Sequence, residues 1–451
     1  MNTSAQQLVQ RLWSFCGILR DDGLSYPDYV EQLTYLLFLK LADEHHLNGV
    51  LPKEWSWQKL VSDQPDVFAR RYEQALDVLS KQTGVLSTIF ADARNRIRDP
   101  RKLHVLAMKY INPIQWREYK GNILADAYEG LLDKTAGDLK SGAGQYFTPR
   151  PLIDAIVSVT QVKSGDSVYD PACGTGGFLL SARTYAKAQR LRRVSFTGVE
   201  IVKGVARLAA MNLILHGASR NSLAKSIIVA DALDQPRRQC SLILTNPPFG
   251  KRSSLRSLPT QERDRGSTLE NRTGNKQILF MLKVMDSLAK GGRAAVVVPD
   301  NVLFEAGVAR ELRLRLLTQF NLHTILRLPL GIFYAAGVKA SVLFFNNSNP
   351  GTKLRTYDLR TDGRKSLRTN PLSPQDLEEF VAMVRHRNPS SVSKRWSQFK
   401  TAELRSSEHV SLDIGLMQNG NIQQIVDVGD TRAIEEFEAA VSLLRQLLSR
   451  D

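Results

Sequence analysis

Val168–Phe178 reads VYDPACGTGGF. A short apolar run fit for a strand breaks into a turn at Gly174, Gly176 and Gly177, where the backbone can bend tightly and approach a ligand with no Cβ in the way. An apolar helical pattern follows. A second corner lies downstream at Ile243–Phe249, ILTNPPF, an apolar strand that ends in Asn246, Pro247, Pro248 and Phe249. Together the two corners suggest a nucleoside cofactor held at one strand end and an amino group attacked at another.

The surroundings support a layered α/β unit. From Ser167 to Phe345 the strand candidates SVYD, SFTGVE, SIIVAD, SLILTN, RAAVVVP, HTILRLP and SVLFFN alternate with helical patterns. The helices are expected at Leu179–Ala188, Val202–His216, Ile278–Ala289 and Val308–Gln319. That alternation predicts a mostly parallel sheet with helices on both faces. Ligands of such sheets bind at the carboxyl ends of the strands. Asp170, Glu200 and Asp231 end three successive predicted strands. The first can accept a hydrogen bond from an ammonium group or water. The second has the spacing of an acid that binds ribose hydroxyls, and the third can accept from an adenine exocyclic amine. The turn has neither the Lys-Ser/Thr pair of a P-loop nor the GxGxxG of a dinucleotide site. Upstream, in GQYFTPR at residues 144–150, Thr148 suits a helix N-cap and Pro149 the first helical position, leaving N–H groups for an anion.

At the second corner, two prolines fix the exit of a buried strand. The Asn246 side-chain carbonyl and a proline carbonyl can both accept from one NH2 group, aiming its nitrogen lone pair at an electrophile without a strong base. Phe249 can stack on the flipped ring that carries the amine. The stretch Lys251–Lys276 that follows carries Lys251, Arg252, Arg256, Arg263, Arg265, Arg272 and Lys276. A connection this long is a cover for a bound strand of substrate or a mobile surface loop.

The flanks are predicted helical. Leu8, Leu12, Phe15 and Leu19 share one helix face. Pro27 suits a first turn, the apolar TYLLFLKLADEHH should be buried, and further helices are expected at Val67–Leu79 and Ile123–Leu132. Beyond residue 353, LRTYDLR predicts a strand and NPLSPQDLEEFVAMVRHR a capped helix. In Thr431–Arg450 the residues Ile434, Phe437, Val441, Leu444 and Leu448 form a coiled-coil-type seam too short to stand alone.

Composition sets the frame. The 451 residues allow two or three domains, and a net charge of +16 favours polyphosphate partners or solubility. Cys16, Cys173 and Cys240 form no CxxC pair, the seven histidines make no HExxH, and His45 and His46 suit a solvated helix end. Nothing reads as a secretory signal or membrane span, so cytoplasm is the expected location.

In the order cofactor helix, glycine turn, NPPF, the chain resembles amino-methyltransferases that use S-adenosylmethionine. Through YLLFLKLADE, YEGLL with GQYFTPR, TGNKQILFMLKVMDSLAKGGRAAVVVPDNVLF, and YDLRTDG with NPLSPQDLEEF, it is similar to the modification (M) subunit of type I restriction-modification systems from near residue 5 to about 415. The resemblance implies a Rossmann-like methyltransferase fold at 141–352, an all-α docking or clamp domain at 1–140, and a C-terminal region with a helical extension at 353–451. It implies an N6-adenine DNA methyltransferase. Gln145, Tyr146, Phe147, Thr148, Pro149 and Arg150 would contact the methionine end of the cofactor, with Thr148 near its carboxylate. Asp170, Gly174, Thr175, Gly176 and Gly177 would line the pocket, Glu200 would hold the ribose and Asp231 the adenine amine. Asn246, Pro247, Pro248 and Phe249 would take the target adenine, with Phe304 and Phe333 the candidates for the second aromatic that would sandwich it. The implied partners are double-stranded DNA, a specificity (S) subunit that reads it, a second M subunit and a restriction (R) subunit. The same chemistry on RNA or protein glutamine, or a silent cofactor-binding scaffold, are the rival expectations.

Overall fold

The computed structural model describes residues 5–15, 23–44, 51–115, 148–216, 226–250, 269–333, 338–360, 365–366, 370–385 and 393–414. The N-terminal part contains α1 (Ala5–Ser14), α2 (Tyr26–Glu44), α3 (Pro65–Ser80), α4 (Val85–Ile89) and α5 (Pro100–Val105). Leu12 of α1 and Phe15 just after it are buried, and so is every residue from Leu33 to Leu39 of α2. An apolar helix covered all round is what that run of sequence requires. Pro27 lies in the first turn of α2, where its missing N–H costs nothing.

The strands are β1 (Ser167–Asp170), β2 (Ser195–Glu200), β3 (Ile227–Val229), β4 (Cys240–Thr245), β5 (Leu288–Pro299), β6 (Asn321–Arg327), β7 (Ala340–Asn346), β8 (Lys353–Asp358) and β9 (Trp396–Lys400). They form one sheet in the order β3-β2-β1-β4-β5-β7-β6-β8-β9. Only β7, beside β5 and β6, and β9, beside β8, run antiparallel to their neighbours. The helices of this part are α6 (Arg150–Thr160), α7 (Gly177–Ala188), α8 (Lys203–Leu215), α9 (Lys276–Ser287), α10 (Asn301–Phe304), α11 (Val308–Gln319) and α12 (Pro374–Arg385).

Strand periodicity of two sends alternate side chains into two cores. Leu242, Leu244, Ala295 and Val297 share a core with α6, α7, α8, α12 and the N-terminal helices. Ile243, Ala294, Val296 and Val298 share the other with α9, α10 and α11. Both faces are covered, hence the near-continuous apolar strands. The helical N-terminal part is joined to the sheet through α8. Arg207 of α8 is 5% exposed, pairs with Glu31 of α2, donates to the Ala91 carbonyl at 2.7 Å and lies 4.9 Å from the Tyr35 ring centroid.

Several expectations shift. The helix expected at Ile278–Ala289 starts at Lys276 and stops at Ser287, because Leu288 already pairs with Cys240 in the sheet. The boundary expected at 352 falls inside the sheet, since β8 pairs with β6 and β9 with β8. Cys16, Leu19, His45, His46, Ile123–Leu132, residues 145–147 and 251–268, and the seam in Thr431–Arg450 lie outside the described residues.

Candidate active site

Strand order reverses between β1 and β4: the chain proceeds from β1 to β2 and β3 on one side, and from β4 to β5 on the other. The carboxyl ends at such a reversal open a crevice. Asp170 is the last residue of β1, Glu200 the last of β2, and Asn246 the first residue after β4. Both predicted corners therefore meet at one edge of the sheet.

The glycine turn is tied down from three sides. The Cys173 N–H donates to the Val199 carbonyl at 3.0 Å, and the Gly176 N–H to the Cys173 carbonyl at 2.8 Å. Asn212 of α8 donates through Nδ2 to the Thr175 carbonyl at 3.1 Å. The Gly174 N–H donates to Glu200 Oε2 at 3.1 Å. Gly176 precedes α7 at φ 86°, a left-handed conformation that suits glycine, and a Cβ there would meet Ala209 of α8 at 3.4 Å. Among the described residues no side chain caps the start of α7 or of α6, so both helix ends present N–H groups to an anion.

The acids differ in their settings. Asp170 is 1% exposed, and Oδ1 accepts the Ala172 N–H at 3.0 Å. Burial pushes its carboxyl up to about 7, opposed by the Thr245 hydroxyl and the Ala172 N–H and reinforced by the Glu200 charge. Burial also raises Glu200, against the Val202, Gly174 and Ile201 N–H groups. Glu200 Oε1 accepts from Val202 and Oε2 from Gly174, which leaves lone pairs on both oxygens. Asp231 is not a strand end: β3 stops at Val229, and Asp231 caps a single turn by accepting the Leu233 N–H at 2.9 Å. A short strand with a polar exit favours that local cap over one more ladder residue. Sequence reasoning passed over Ile201, which is 61% exposed directly after Glu200, and the exposed Val229. The signal was an apolar residue at each strand end with no core to enter.

The target corner also departs in detail. Thr148 is not the helix cap; Pro149 takes that position and α6 begins at Arg150, with Pro151 in its first turn. Pro151, lacking its own N–H, fits that first turn just as well, and the Thr148 hydroxyl goes elsewhere. It accepts a hydrogen bond from Asn246 Nδ2 at 2.9 Å. Asn246 Oδ1 is buried and has no hydrogen-bond partner among the described residues. Pro247 is buried and Pro248 and Phe249 half-buried. Of the two candidate aromatics, Phe333 meets Phe249 edge to face, with centroids 6.3 Å apart and an interplanar angle of 85°. It braces Phe249 and does not stand parallel across from it; Phe304, on α10 after β5, is 48% exposed. In the basic stretch, Arg272 is taken up by both oxygens of Glu311 at 2.7 Å, and Lys276 opens α9.

Chemically, the edge offers two buried carboxylates, two uncapped helix starts, an exposed apolar Ile201 and an unsatisfied amide oxygen. That set suits a ligand joining an amino acid to a nucleoside, beside a second ligand that donates N–H. No helix among the described residues is long and apolar enough to cross a membrane.

Residues 119–424 match the N-6 DNA methylase family, and residues 8–50 match the HsdM N-terminal domain. The chain is 34% identical over 479 aligned positions to the StySJI type I restriction enzyme methylase subunit of Salmonella typhimurium, covering 91% of this chain and 88% of that one. It is 36% identical to the EcoKI methylase subunit of Escherichia coli, over 86% of this chain and 78% of the relative. The crystal structure of the EcoKI M protein superposes with a TM-score of 0.53 at 30% identity, covering 98% of this chain and 96% of that one. A modification subunit assigned to a type I restriction enzyme of Vibrio vulnificus superposes with a TM-score of 0.76 at 26% identity, over 92% of this chain and 97% of that one.

Proposed function

The chain belongs to the N-6 DNA methylase family, as a methylase subunit of type I restriction enzymes, and on that footing we propose that it methylates N6 of an adenine flipped from duplex DNA, using S-adenosylmethionine. The observation that carries this is the Asn246 amide: a buried acceptor oxygen without a partner among the described residues, at the end of the strand beside β1. A buried unsatisfied acceptor costs about 1–3 kcal/mol, and an incoming amine would remove that cost.

Bound, the cofactor supplies a methyl group on a positively charged sulfur. The remaining work falls to this chain. Asp170 takes the ammonium end, Gly174, Thr175, Gly176 and Gly177 let the ligand lie close to the backbone, Glu200 takes the ribose hydroxyls, and Asp231 and Ile201 hold the adenine. The segment from Gln145 to Arg150 would contact the methionine end, as the resemblance implies. Asn246 Oδ1 and the Pro247 carbonyl accept the two hydrogens of the target amine, Pro248 stiffens the corner, and Phe249, braced by Phe333, stacks on the base. These two bonds leave the nitrogen lone pair facing the methyl group, so no base need act before attack. They strengthen as the nitrogen gains positive charge, and so favour the transition state over the ground state. Positioning supplies much of the rest.

The helical N-terminal part would clamp DNA and a second copy of the subunit, and the Ile434–Leu448 seam would dock on a specificity subunit that selects the site. A restriction subunit would join the complete assembly. Asn246→Ala tests the core of this proposal. Transfer should fall by at least 10²–10³-fold, the typical loss when one preorganised hydrogen-bonding group leaves a dry site. Cofactor affinity should stay within a few-fold, and unchanged transfer in that variant would sink the mechanism.

A further inference from the structure

One hydrogen bond links the start of α6 to the target corner. Thr148 stands two residues before that helix, and its hydroxyl accepts from Asn246 Nδ2 at 2.9 Å. A hydroxyl has two lone pairs and one hydrogen. Accepting from Asn246 therefore leaves its own hydrogen to be donated onward. The amide of Asn246 carries donor and acceptor on opposite arms of one plane. With Nδ2 engaged by Thr148, Oδ1 is turned the other way, where it is buried and unpaired among the described residues. A rotation of half a turn about the last side-chain bond would place N–H groups where the acceptor must be, and a target amine cannot donate to those.

We propose that Thr148, whose place at the carboxylate end of the cofactor the family resemblance already implies, is a positioning residue that locks the Asn246 amide with its carbonyl facing the target amine. The two pockets are then joined by a chain running carboxylate, Thr148, Asn246, target amine. Each bond in such a chain polarises the next. The uncapped start of α6 favours a carboxylate at that place, and the helix has no competing use for the hydroxyl, since Pro149 occupies the N-cap. This inference rests on the function proposed above.

The variants are Thr148→Val, which keeps the shape and removes the hydroxyl, and Thr148→Ser, which keeps the hydroxyl. Two quantities are read: the Kd for S-adenosylhomocysteine by calorimetry on the chain, and kcat at saturating S-adenosylmethionine. The second uses the chain assembled with its specificity subunit. Thr148→Val should weaken the ligand about tenfold or more, the loss of one hydrogen bond to a charged group. It should also leave kcat about tenfold down even at saturation. Thr148→Ser should restore both to within about threefold. A kcat that returns to the unaltered value once Thr148→Val is saturated would overturn the link and leave a cofactor contact alone. Thr148→Ser behaving as badly as Thr148→Val would overturn it in favour of methyl-group packing. Failure of the unaltered chain to bind S-adenosylhomocysteine would instead bring down the proposed function, and this inference with it.

Discussion

Asp170 makes cofactor binding depend on pH in a direction set by its burial. The carboxyl is held at about 7 in the folded, ligand-free chain, against an ordinary value of 3.8. Carrying the charge there costs about 4 kcal/mol at 1.36 kcal/mol per unit, and an ammonium group would offset most of it. The folded ligand-free state thus prefers the proton: this contribution to stability is fully present below 3.8 and is lost as pH rises through about 7. Ligand binding runs the opposite way, because it needs the ionised form. Below pH 7 the apparent Kd should rise about tenfold per unit, so roughly tenfold at pH 6 and a hundredfold at pH 5. Calorimetry with S-adenosylhomocysteine between pH 5.5 and 8 reads the slope, and buffers of different ionisation heat should show about half a proton released per ligand at pH 7. Asp170→Asn should bind weakly with a shallower slope, and the difference between the two chains cancels any titration of the ligand. Equal slopes in both, or no proton release, would refute the assignment of Asp170 to an ammonium group.

Two further substitutions probe how the site is held. Gly198→Ala in β2 would put a Cβ 2.7 Å from Cys173 Sγ and 2.8 Å from Leu179 Cδ1. It should cost about 1–3 kcal/mol in a denaturant titration and weaken cofactor binding by pushing the turn outward; unchanged stability would mean the turn yields freely. Arg207→Ala should cost about 1–3 kcal/mol, through the lost bond to the Ala91 carbonyl and the lost ion pair with Glu31, which keeps Arg96. It should also speed proteolysis of the N-terminal part, and an unchanged cleavage rate would show that α8 does not anchor that part.

The sheet was legible because its strands are apolar on both faces and end in distinctive corners. SVYD and SFTGVE fall on β1 and β2 residue for residue, and the helix expected at Val308–Gln319 matches α11. What sequence missed depends on contacts distant along the chain. Nothing near Thr148 announces that its partner is Asn246, 98 residues away. Local propensity favours the Thr cap, and the competing prolines at 149 and 151 decide otherwise. Likewise LRTYDLR read as the strand that became β8 while β9 went unread, and that both extend the same sheet is a matter of pairing, which local pattern does not encode. Arg207 reads as a surface residue on a helix until the N-terminal helices cover it.

The central claim is methyl transfer to N6 of adenine in duplex DNA by this chain with a specificity partner. The direct measurement is incubation with methyl-labelled S-adenosylmethionine and genomic DNA, with and without the neighbouring specificity subunit, followed by nucleoside analysis. Label in N6-methyladenine only when both proteins are present is the predicted result. No label in DNA under either condition, from a chain that binds the cofactor tightly, would contradict it.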